Sequence, residues 1–395
     1  SQQLKFEISR YMQLPKILIL TLRPLHNGPR IIREIQAFKS DFEIVAVGLT
    51  KPDDQKSHFY SIESLQRNVL DRIIRKAYRL VNSGRLPRFP LPVMKRFLDS
   101  IVEKERPDLV ITHEPDFFPY LIPMKSKFEF KVVYNAHEYH PLQFDSNKRW
   151  LNTIGFYYNK LYQEYLKEVD LLINVCDGIA VKCKEEFGKP SLVIPNASWY
   201  HEISPYFNKE DKDESQVRII HHGLAIRERK IEYMIEAVKL LSNSYRLDLI
   251  LMPGDLDYIK ELKELISGHV RINIIEPVPF DKIVPFLNKY DIGLFNLPPL
   301  TFNYRNALPN KLFEFIQARL CLVVSPSPEM KKIVERYGVG FVANGYEARD
   351  IYECLDKISL RDINECKMKS HEAARTTSAE NYYHSYVSEV KELVQ

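Results

Sequence analysis

The chain has 395 residues, of which 45% are hydrophobic and 27% charged, and its formal net charge is +4. This length predicts two domains, and the composition excludes a collagen, a coiled coil and a wholly disordered chain. No apolar stretch approaches the roughly 18 residues of a membrane span, and the first residues lack the apolar region of a secretory signal. The five cysteines show neither zinc nor disulfide spacing, so we expect reduced thiols and a cytoplasmic protein.

The first half of the chain alternates short apolar runs with amphipathic stretches. The runs are nearly continuous in apolar residues, which is typical of parallel strands buried on both faces. They predict strands at 16–22, 42–49, 108–112, 131–136, 170–176 and 191–196. Helices are predicted at 29–40, with Pro29 in the first turn, and at 149–169. This alternation predicts an α/β, doubly wound, Rossmann-like domain over residues 1–203.

The second half repeats this organisation after a polar, charged and aperiodic stretch at 204–216, where we predict a linker. A second Rossmann-like domain is predicted over 217–377. Its strands are expected at 217–222, 247–252, 270–276, 291–297 and 320–325, and its helices at 230–242, 257–267, 281–289, 309–319 and 328–337. A last helix is predicted at 378–395. Two such domains are expected to bind a ligand in the cleft between them, at the carboxyl ends of the strands.

One candidate site is HHGLAIRERKIEYMIEA (221–237), which reads as a strand end, a glycine turn and a basic helix start. Gly223 would let the backbone approach a ligand closely. Arg227, Arg229 and Lys230 would lie at a helix N-terminus, where free N–H groups already favour an anion such as a diphosphate. The alternative is a solvated helix start whose cations pair with neighbouring glutamates.

A second candidate is PNKLFEFIQARLCLVVS (309–325), a predicted helix with an apolar core stripe. Its polar side chains fall on the opposite face or its shoulder: Asn310, Lys311, Glu314 and Gln317. Glu314 could accept two hydrogen bonds from a ribose diol, and Lys311 could reach a phosphate. The alternative is a surface helix with an i, i+3 pair of Lys311 and Glu314.

A third candidate is VVYNAHEYHP (132–141), where a buried strand ends just before His137 and Glu138. Sheets of this class place functional groups at such strand ends. His137 could donate to a sugar hydroxyl or to a phosphoryl oxygen, and Glu138 could orient the loop. The alternative is a structural histidine with satisfied hydrogen bonds.

The sequence predicts no metal site. His137 and His140 lack both a third ligand nearby and the full H-E-x-x-H spacing. Asp255-x-Asp257 follows a predicted strand and enters a helix, so we interpret it as an N-cap with a charged first turn.

Taken together, these segments resemble the retaining glycosyltransferases of family 4, whose GT-B fold has two Rossmann-like domains facing across a cleft. The resemblance runs from about Lys16 to the C-terminus and is carried by 132–141, 170–197, 221–237 and, most specifically, 307–343. It implies transfer of a hexosyl group from a UDP- or GDP-sugar, with retention, without a metal and with no cofactor. The implied acceptor is a glycan or a polyprenyl-diphosphate-linked glycan of a bacterial surface polysaccharide such as capsule or lipopolysaccharide.

The resemblance also implies residue roles. The loop at Asn27 and Gly28 would face the diphosphate and the acceptor, Arg229 and Lys311 would hold the diphosphate, and Glu314 the ribose. The segment 277–283, with Pro279, would pass the nucleobase, and the C-terminal helix would pack on the N-terminal domain. The candidate catalytic residues are His137, Glu138 and Asn306. The candidate donor-binding residues are Gly28, Gly223, Arg229, Lys230, Pro279, Asn310, Lys311 and Glu314.

Two positions depart from the family pattern. Asn306 stands where a glutamate is common, and Leu224 where an arginine is usual. An amide cannot stabilise developing positive charge as a carboxylate does, so Asn306 keeps open a non-catalytic, sugar-nucleotide-binding scaffold subunit. A sugar-nucleotide epimerase with the GT-B fold is a further alternative.

The basic charge is concentrated between Leu65 and Arg106, where eleven lysines and arginines stand beside four acids. A basic amphipathic helix there suits an anionic membrane leaflet or a polyprenyl diphosphate. We therefore expect peripheral contact with the inner face of the plasma membrane, the alternative being a solvated helix that covers the sheet. Nucleic-acid binding would need a more basic domain and is not expected.

Overall fold

The computed structural model describes residues 14–25, 28–51, 58–63, 91–207 and 216–395. These residues fall into two compact units, Ser1–Ile194 with Tyr383–Gln395, and Pro195–Tyr382. The predicted linker at 204–216 is described only at its two ends, because 208–215 lie outside the described residues. Asn27 lies outside them as well.

The described residues of the first unit form a seven-stranded parallel sheet. Its strands are β1 (Lys16–Leu20), β2 (Glu43–Gly48), β3 (His58–Ser61), β4 (Leu109–Thr112), β5 (Lys131–Asn135), β6 (Leu171–Asn174) and β7 (Leu192–Val193). Their order is β3-β2-β1-β4-β5-β6-β7. Since β1 pairs with both β2 and β4, the winding reverses there, which makes the β1/β4 edge the topological switch point.

Helices α1 (Pro29–Phe38), α2 (Leu91–Glu105), α3 (Phe118–Phe128), α4 (Phe156–Tyr165) and α5 (Asp177–Phe187) accompany this sheet. The single helix expected over 149–169 is wrong, because a π-helical segment at Leu151–Gly155 precedes α4 and a 3-10 turn follows it. A Cβ at Gly155 would lie 2.8 Å from the Trp150 ring and 3.0 Å from the Pro141 carbonyl oxygen. The backbone is therefore pressed against its neighbours where the helix changes its winding.

The second unit contains a six-stranded parallel sheet. Its strands are β8 (Val217–Ala225), β9 (Tyr245–Pro253), β10 (Ile272–Ile275), β11 (Ile292–Phe295), β12 (Cys321–Val324) and β13 (Gly340–Val342). Their order is β10-β9-β8-β11-β12-β13, so β8 and β11 flank the switch point. The predicted α/β class is confirmed in both units. The sequence patterns missed only the short strands β3 and β13 among those described.

The helices of the second unit connect these strands. They are α6 (Ile231–Leu240), α7 (Leu256–Leu265), α8 (Ile283–Leu287), α9 (Phe302–Arg305), α10 (Asn310–Gln317), α11 (Pro328–Tyr337), α12 (Ala348–Leu355) and α13 (Leu360–Ala373). Asp255 caps α7 by accepting a 3.0 Å hydrogen bond from the Tyr258 backbone N–H, which confirms the N-cap interpretation. Asp255 therefore has a structural role as the N-cap of this helix.

The final helix, α14 (Ala379–Val394), begins in the second unit and belongs to the first unit from Tyr383 onward. Tyr386 packs edge-on against Phe38 of α1, with the ring centroids 5.0 Å apart. The Tyr383 hydroxyl donates to the Arg30 carbonyl oxygen at 3.3 Å. These two tyrosines therefore pack the last helix against α1.

In the described part of the chain, no helix is long and apolar enough to cross a membrane. Most of the basic segment 65–106 lies outside the described residues, which resume only at Leu91 with α2. Membrane contact through this segment therefore stays a prediction.

Helix α10 packs directly on β11 at Gly293. A Cβ at this position would overlap the ring of Phe315, a side chain with no exposed surface. We predict that Gly293→Ala lowers the free energy of unfolding by about 1–3 kcal/mol, because a filled core must shift to admit a methyl group. Urea unfolding would measure this loss, with Ser267→Ala at an exposed loop position as the control. Equal stability of the two variants would contradict this close packing.

Candidate functional site

Two clusters of buried polar side chains lie at the carboxyl ends of the strands, one in each unit. In the second unit, Gly223 near the end of β8 brings the backbone against two cations. A Cβ on Gly223 would stand 2.7 Å from Lys311 Cε and 2.8 Å from Arg229 Nη1. A larger residue at this position would displace the ends of both cationic side chains. We call Gly223, Arg229, Lys311, Glu314 and His222 the basic cluster.

Arg229 ends the 3-10 turn that leads into α6. Its Nη1 donates to the Leu224 carbonyl oxygen at 3.2 Å, which aims the guanidinium back along the turn. Burial lowers the pKa of Arg229, and interaction with the Tyr304 hydroxyl opposes that effect. The guanidinium remains charged, since an arginine pKa begins above 12.

Lys311 lies in the first turn of α10, where the helix dipole is positive. Burial, followed by the charge of Arg229, lowers the pKa of Lys311 to about 8. Two cations therefore face each other at the positive end of a helix, an arrangement that an anion would relieve.

Glu314 follows Lys311 one turn later on α10 and is only 3% exposed. One of its oxygens lies 3.1 Å from His222 Nε2. Burial lowers the pKa of His222, and the contact with Glu314 opposes that effect. The cluster thus combines two cations with one carboxylate acceptor.

The surface-helix alternative for α10 is wrong. Gln317, expected on the open face, is fully buried. Its Oε1 accepts a hydrogen bond from the His201 backbone N–H at 3.1 Å, and its Nε2 donates to the Ala374 carbonyl oxygen at 2.5 Å. Segments distant in sequence therefore cover the face that periodicity assigned to solvent.

The remaining basic residues of the 221–237 segment pair with acids. Lys230 Nζ lies 3.6 Å from Glu232. For this residue the structure agrees with the alternative of a solvated helix start whose cations pair with neighbouring glutamates. Both terminal nitrogens of Arg227 donate to Glu261, each at 2.7 Å. The structure thus separates Arg229, in the basic cluster, from its two basic neighbours.

Other predicted donor-binding and catalytic positions are placed as follows. Asn310 is the first residue of α10. Asn306 directly follows α9, and its Nδ2 donates to the Phe302 carbonyl oxygen at 2.9 Å. Pro279 is exposed and precedes the turn at Phe280–Lys282. Gly28 directly precedes α1 and accepts a 3.0 Å hydrogen bond from Ile32 N–H.

In the first unit, His137 follows β5 and ends a chain of hydrogen-bonded side chains. Its Nε2 lies 2.8 Å from His113 Nδ1, and His113 Nε2 lies 2.7 Å from Glu34 Oε2. His113 follows β4, and Glu34 projects from α1. We call these three residues the histidine chain.

The environment keeps His137 neutral. Burial holds the pKa of His137 well below its usual range, and the charges of His113, Arg30 and Arg23 lower it further. Burial also lowers the pKa of His140 to about 3, and His140 Nδ1 lies 2.8 Å from the Tyr134 hydroxyl. The two histidines of this motif are thus engaged with different partners.

Glu138 anchors the loop after β5. It accepts a 2.7 Å hydrogen bond from Gln143 Nε2, and Arg23 Nη2 lies 3.8 Å from the same oxygen. Burial raises the pKa of Glu138. These contacts suit the loop-orienting role considered from the sequence.

Within the described ranges, one group of side chains has metal-binding spacing, namely Glu43, His58 and Glu105. Lys16 Nζ already lies 3.1 Å from Glu43 and 3.0 Å from Glu105. A lysine ammonium therefore compensates the two carboxylates, which does not favour a second cation there.

Sequence reasoning missed three residues of these clusters, His113, His222 and Glu34, and also Tyr304, the partner of Arg229. His113 follows β4 as His137 follows β5, so the same strand-end rule could have found it. His222 stands directly before Gly223 in a motif already singled out. Glu34 and Tyr304 carry no local signal, because only tertiary packing brings them to their partners.

Comparison with known proteins gives matches at the level of structure. No protein-family model and no curated protein sequence matches the chain. Sucrose-phosphate synthase from Thermosynechococcus elongatus is similar with a TM-score of 0.73 at 12% identity, over 96% of this chain and 99% of that one. WaaG, a glycosyltransferase involved in lipopolysaccharide biosynthesis, gives 0.66 at 11% identity, over 95% and 99%.

Anabaena HepE in complex with UDP and glucose is also similar, with a TM-score of 0.66 at 12% identity, over 95% of this chain and 99% of that one. The two parallel sheets and this broad coverage show that the chain has the fold of the GT-B glycosyltransferases.

The basic cluster yields a prediction about pH. Anion binding should weaken as the pH rises through about 8, because Lys311 then loses its proton. Calorimetric titration with inorganic pyrophosphate between pH 6.5 and 9.5 should show affinity falling by up to about tenfold per pH unit, the limit for one linked proton.

Lys311→Arg is the matched control, since arginine keeps its charge throughout this range and also corrects for ionisation of the probe. Parallel pH profiles for the wild-type protein and this variant would contradict the role of Lys311.

Proposed function

We propose that the chain is a glycosyltransferase that moves a hexosyl group from a UDP- or GDP-sugar to a glycan or lipid-linked acceptor, with retention and without a metal. The observation that carries the proposal is the basic cluster, in which Arg229 and Lys311 meet at Gly223 beside the buried carboxylate of Glu314. This cluster lies at the switch-point end of a doubly wound sheet, where such folds bind nucleotides.

In the proposed reaction, the nucleoside diphosphate leaves and gains negative charge in the transition state. Arg229 and Lys311 stabilise that charge more strongly than they stabilise the bound ground state, which is the condition for catalysis. Fixed cations and the N-terminus of α10 supply the positive charge that a divalent ion supplies in other enzymes. Asn310, in the same first turn, adds a polar group beside the diphosphate.

Glu314 is proposed to accept hydrogen bonds from the two hydroxyls of the ribose. Burial lowers the pKa of the neighbouring His222 and so favours its neutral form. A neutral His222 does not hold Glu314 in an ion pair, so the carboxylate can accept hydrogen bonds from the ribose. The basic cluster would thereby bind both polar parts of a nucleotide, with cations for the phosphates and a hydrogen-bond acceptor for the ribose. Gly28, Lys230 and Pro279 stay proposed donor contacts, Pro279 for the base.

His137 is proposed to contact the donor sugar, with Glu138 holding its loop. The resemblance to family 4, together with the structural similarity to WaaG, supports a place in bacterial surface-polysaccharide synthesis. Peripheral contact with the inner membrane belongs to the same proposal and rests on the basic charge of 65–106.

Two alternatives remain distinct in their products. Asn306 stands where a glutamate is common in the family, and its side-chain amide donates to the carbonyl oxygen of Phe302, the first residue of α9. This position therefore carries no carboxylate. A scaffold subunit would bind the nucleotide sugar without consuming it. An epimerase would convert the donor without any acceptor. Product analysis with donor alone, and then with a lipid extract as acceptor, separates the three functions.

We predict that one class of nucleoside diphosphate raises the melting temperature of the protein. Saturation at 100 times Kd corresponds to about 2.7 kcal/mol of added stability. Arg229→Ala and Glu314→Ala should each weaken binding by about 10- to 100-fold, because each removes a charged hydrogen-bonding partner. Calorimetry with UDP, GDP and CMP would measure these affinities.

Arg227→Ala is the matched control, since Arg227 lies two residues from Arg229 but pairs with Glu261 on the surface. It should bind as the wild-type protein does. Equal losses in all three variants would indicate a non-specific charge effect and would count against the proposed site.

A further inference from the structure

The histidine chain contains enough fixed hydrogen bonds to determine where its protons lie. Glu34 is fully buried, and its Oε1 accepts hydrogen bonds from Asn135 Nδ2 at 2.6 Å and from the Tyr386 hydroxyl at 2.8 Å. The second oxygen, Oε2, faces His113. Asn135 and Tyr386 thus both donate to Oε1, and His113 is the partner of Oε2.

The orientation of the Asn135 amide is itself fixed. Arg30 Nε donates to Asn135 Oδ1 at 2.9 Å, and Arg30 Nη2 donates to the same oxygen. Since a guanidinium only donates, the Asn135 amide nitrogen must point to Glu34. This removes the usual ambiguity between the two ends of an amide side chain.

A carboxylate only accepts, so the proton between Glu34 and His113 lies on His113 Nε2. Burial raises the pKa of Glu34, while the interaction with His113 and the hydrogen bonds from Asn135 and Tyr386 bring it below the usual value. Glu34 is therefore ionised at neutral pH. When His113 is neutral, its one proton lies on Nε2, so Nδ1 accepts from His137 Nε2.

We propose that Glu34 and His113 are positioning residues that hold His137 in the tautomer protonated on Nε2, so that its Nδ1 presents a lone pair as a hydrogen-bond acceptor. A lone pair binds a hydroxyl group and repels a phosphoryl oxygen. Of the two ligands considered for His137 from the sequence, this selects a sugar hydroxyl. The identity of the ligand rests on the proposed function, but the tautomer does not.

Burial and the neighbouring arginines favour the neutral form of His137. Burial lowers the pKa of His137 most, and Arg23 after β1 and Arg30 on α1 lower it further. His140 after β5, whose pKa burial lowers to about 3, is uncharged at neutral pH. Glu114, next to His113, accepts hydrogen bonds from Thr21 Oγ1 and the Leu22 N–H, each at 3.1 Å, and burial raises its pKa. Protonation of His113 would reverse the chain, since His113 would then donate to both neighbours and His137 would carry its proton on Nδ1.

The variant Glu34→Gln gives a sharp test. Asn135 and Tyr386 still require an acceptor at Oε1, so the new amide nitrogen must face His113 and donate to its Nε2. His113 then carries its proton on Nδ1 and donates it to His137 Nε2. Both histidines should therefore change tautomer, although the variant removes a charge and adds no atom to the cavity beyond hydrogens.

The measurement is a long-range ¹H–¹⁵N correlation spectrum of histidine-labelled full-length protein at pH 8, above the usual histidine range. His137→Gln and His113→Gln assign the two rings, and His384→Gln, at an exposed position of α14, is the matched control. We expect His137 protonated on Nε2 in the wild-type protein and on Nδ1 in Glu34→Gln. A wild-type ring protonated on Nδ1, or an unchanged tautomer in a folded Glu34→Gln, would overturn the proposal.

The wild-type spectrum keeps the test decisive if Glu34→Gln does not fold. The hydrogen bonds to Glu34 place the His137 proton on Nε2 in the wild-type protein, so a wild-type ring protonated on Nδ1 would overturn the proposal without any variant. These outcomes do not involve nucleotide binding, so failure of the proposed function would leave them unaffected.

The sugar contact has its own readout. With the donor identified by calorimetry, Glu34→Gln should raise KM for the sugar nucleotide while binding of the free nucleoside diphosphate is unchanged. The reason is that the variant turns an acceptor into a donor opposite one hydroxyl. An equal loss of affinity for both ligands would indicate general damage and would contradict a role confined to the sugar.

Discussion

Every pairing among the described strands is parallel, and this single constraint places the residues of both candidate clusters. Parallel strands require a crossover between each pair, so all their carboxyl ends lie on one edge of the sheet. Helices then cover both faces, and the strand-end loops become the positions at which polar side chains gather. The histidines after β4 and β5 and the glycine near the end of β8 are consequences of this geometry rather than of any local motif.

Buried charges at these strand ends have different surroundings in the two units. Glu34 is surrounded by donors, so its charge is satisfied within the protein and its role is to orient other groups. Arg229 and Lys311 instead lie beside each other, and burial together with the charge of Arg229 lowers the pKa of Lys311. A fully paired carboxylate is a structural anchor, whereas two adjacent buried cations repel each other, and a bound anion would offset that repulsion.

The sequence predicted the fold well because strands buried on both faces leave continuous apolar runs, as in Ile17–Leu20 with no exposed surface. It also predicted His137, Arg229 and Lys311 as strand-end or helix-start groups. It failed for Gln317, whose open face is covered by segments that contain His201 and Ala374. Periodicity reports which face of a helix meets the nearest sheet, and it carries no information on what later packs over the opposite face. Glu34 escaped prediction for the same reason.

The C-terminal helix illustrates how far such tertiary control extends. Tyr386 and Glu34 are 352 residues apart, yet the tyrosine hydroxyl occupies one carboxylate oxygen and so directs the other to His113. Contact between the Tyr386 and Phe38 rings holds that hydroxyl in place, which links aromatic packing to the position of a proton. The C-terminal helix therefore contributes a hydrogen-bond donor to the buried carboxylate of Glu34. The proposed positions of the protons in the histidine chain depend on the Tyr386 hydroxyl. Because that hydroxyl donates to Glu34 Oε1, Glu34 Oε2 is the oxygen that faces His113.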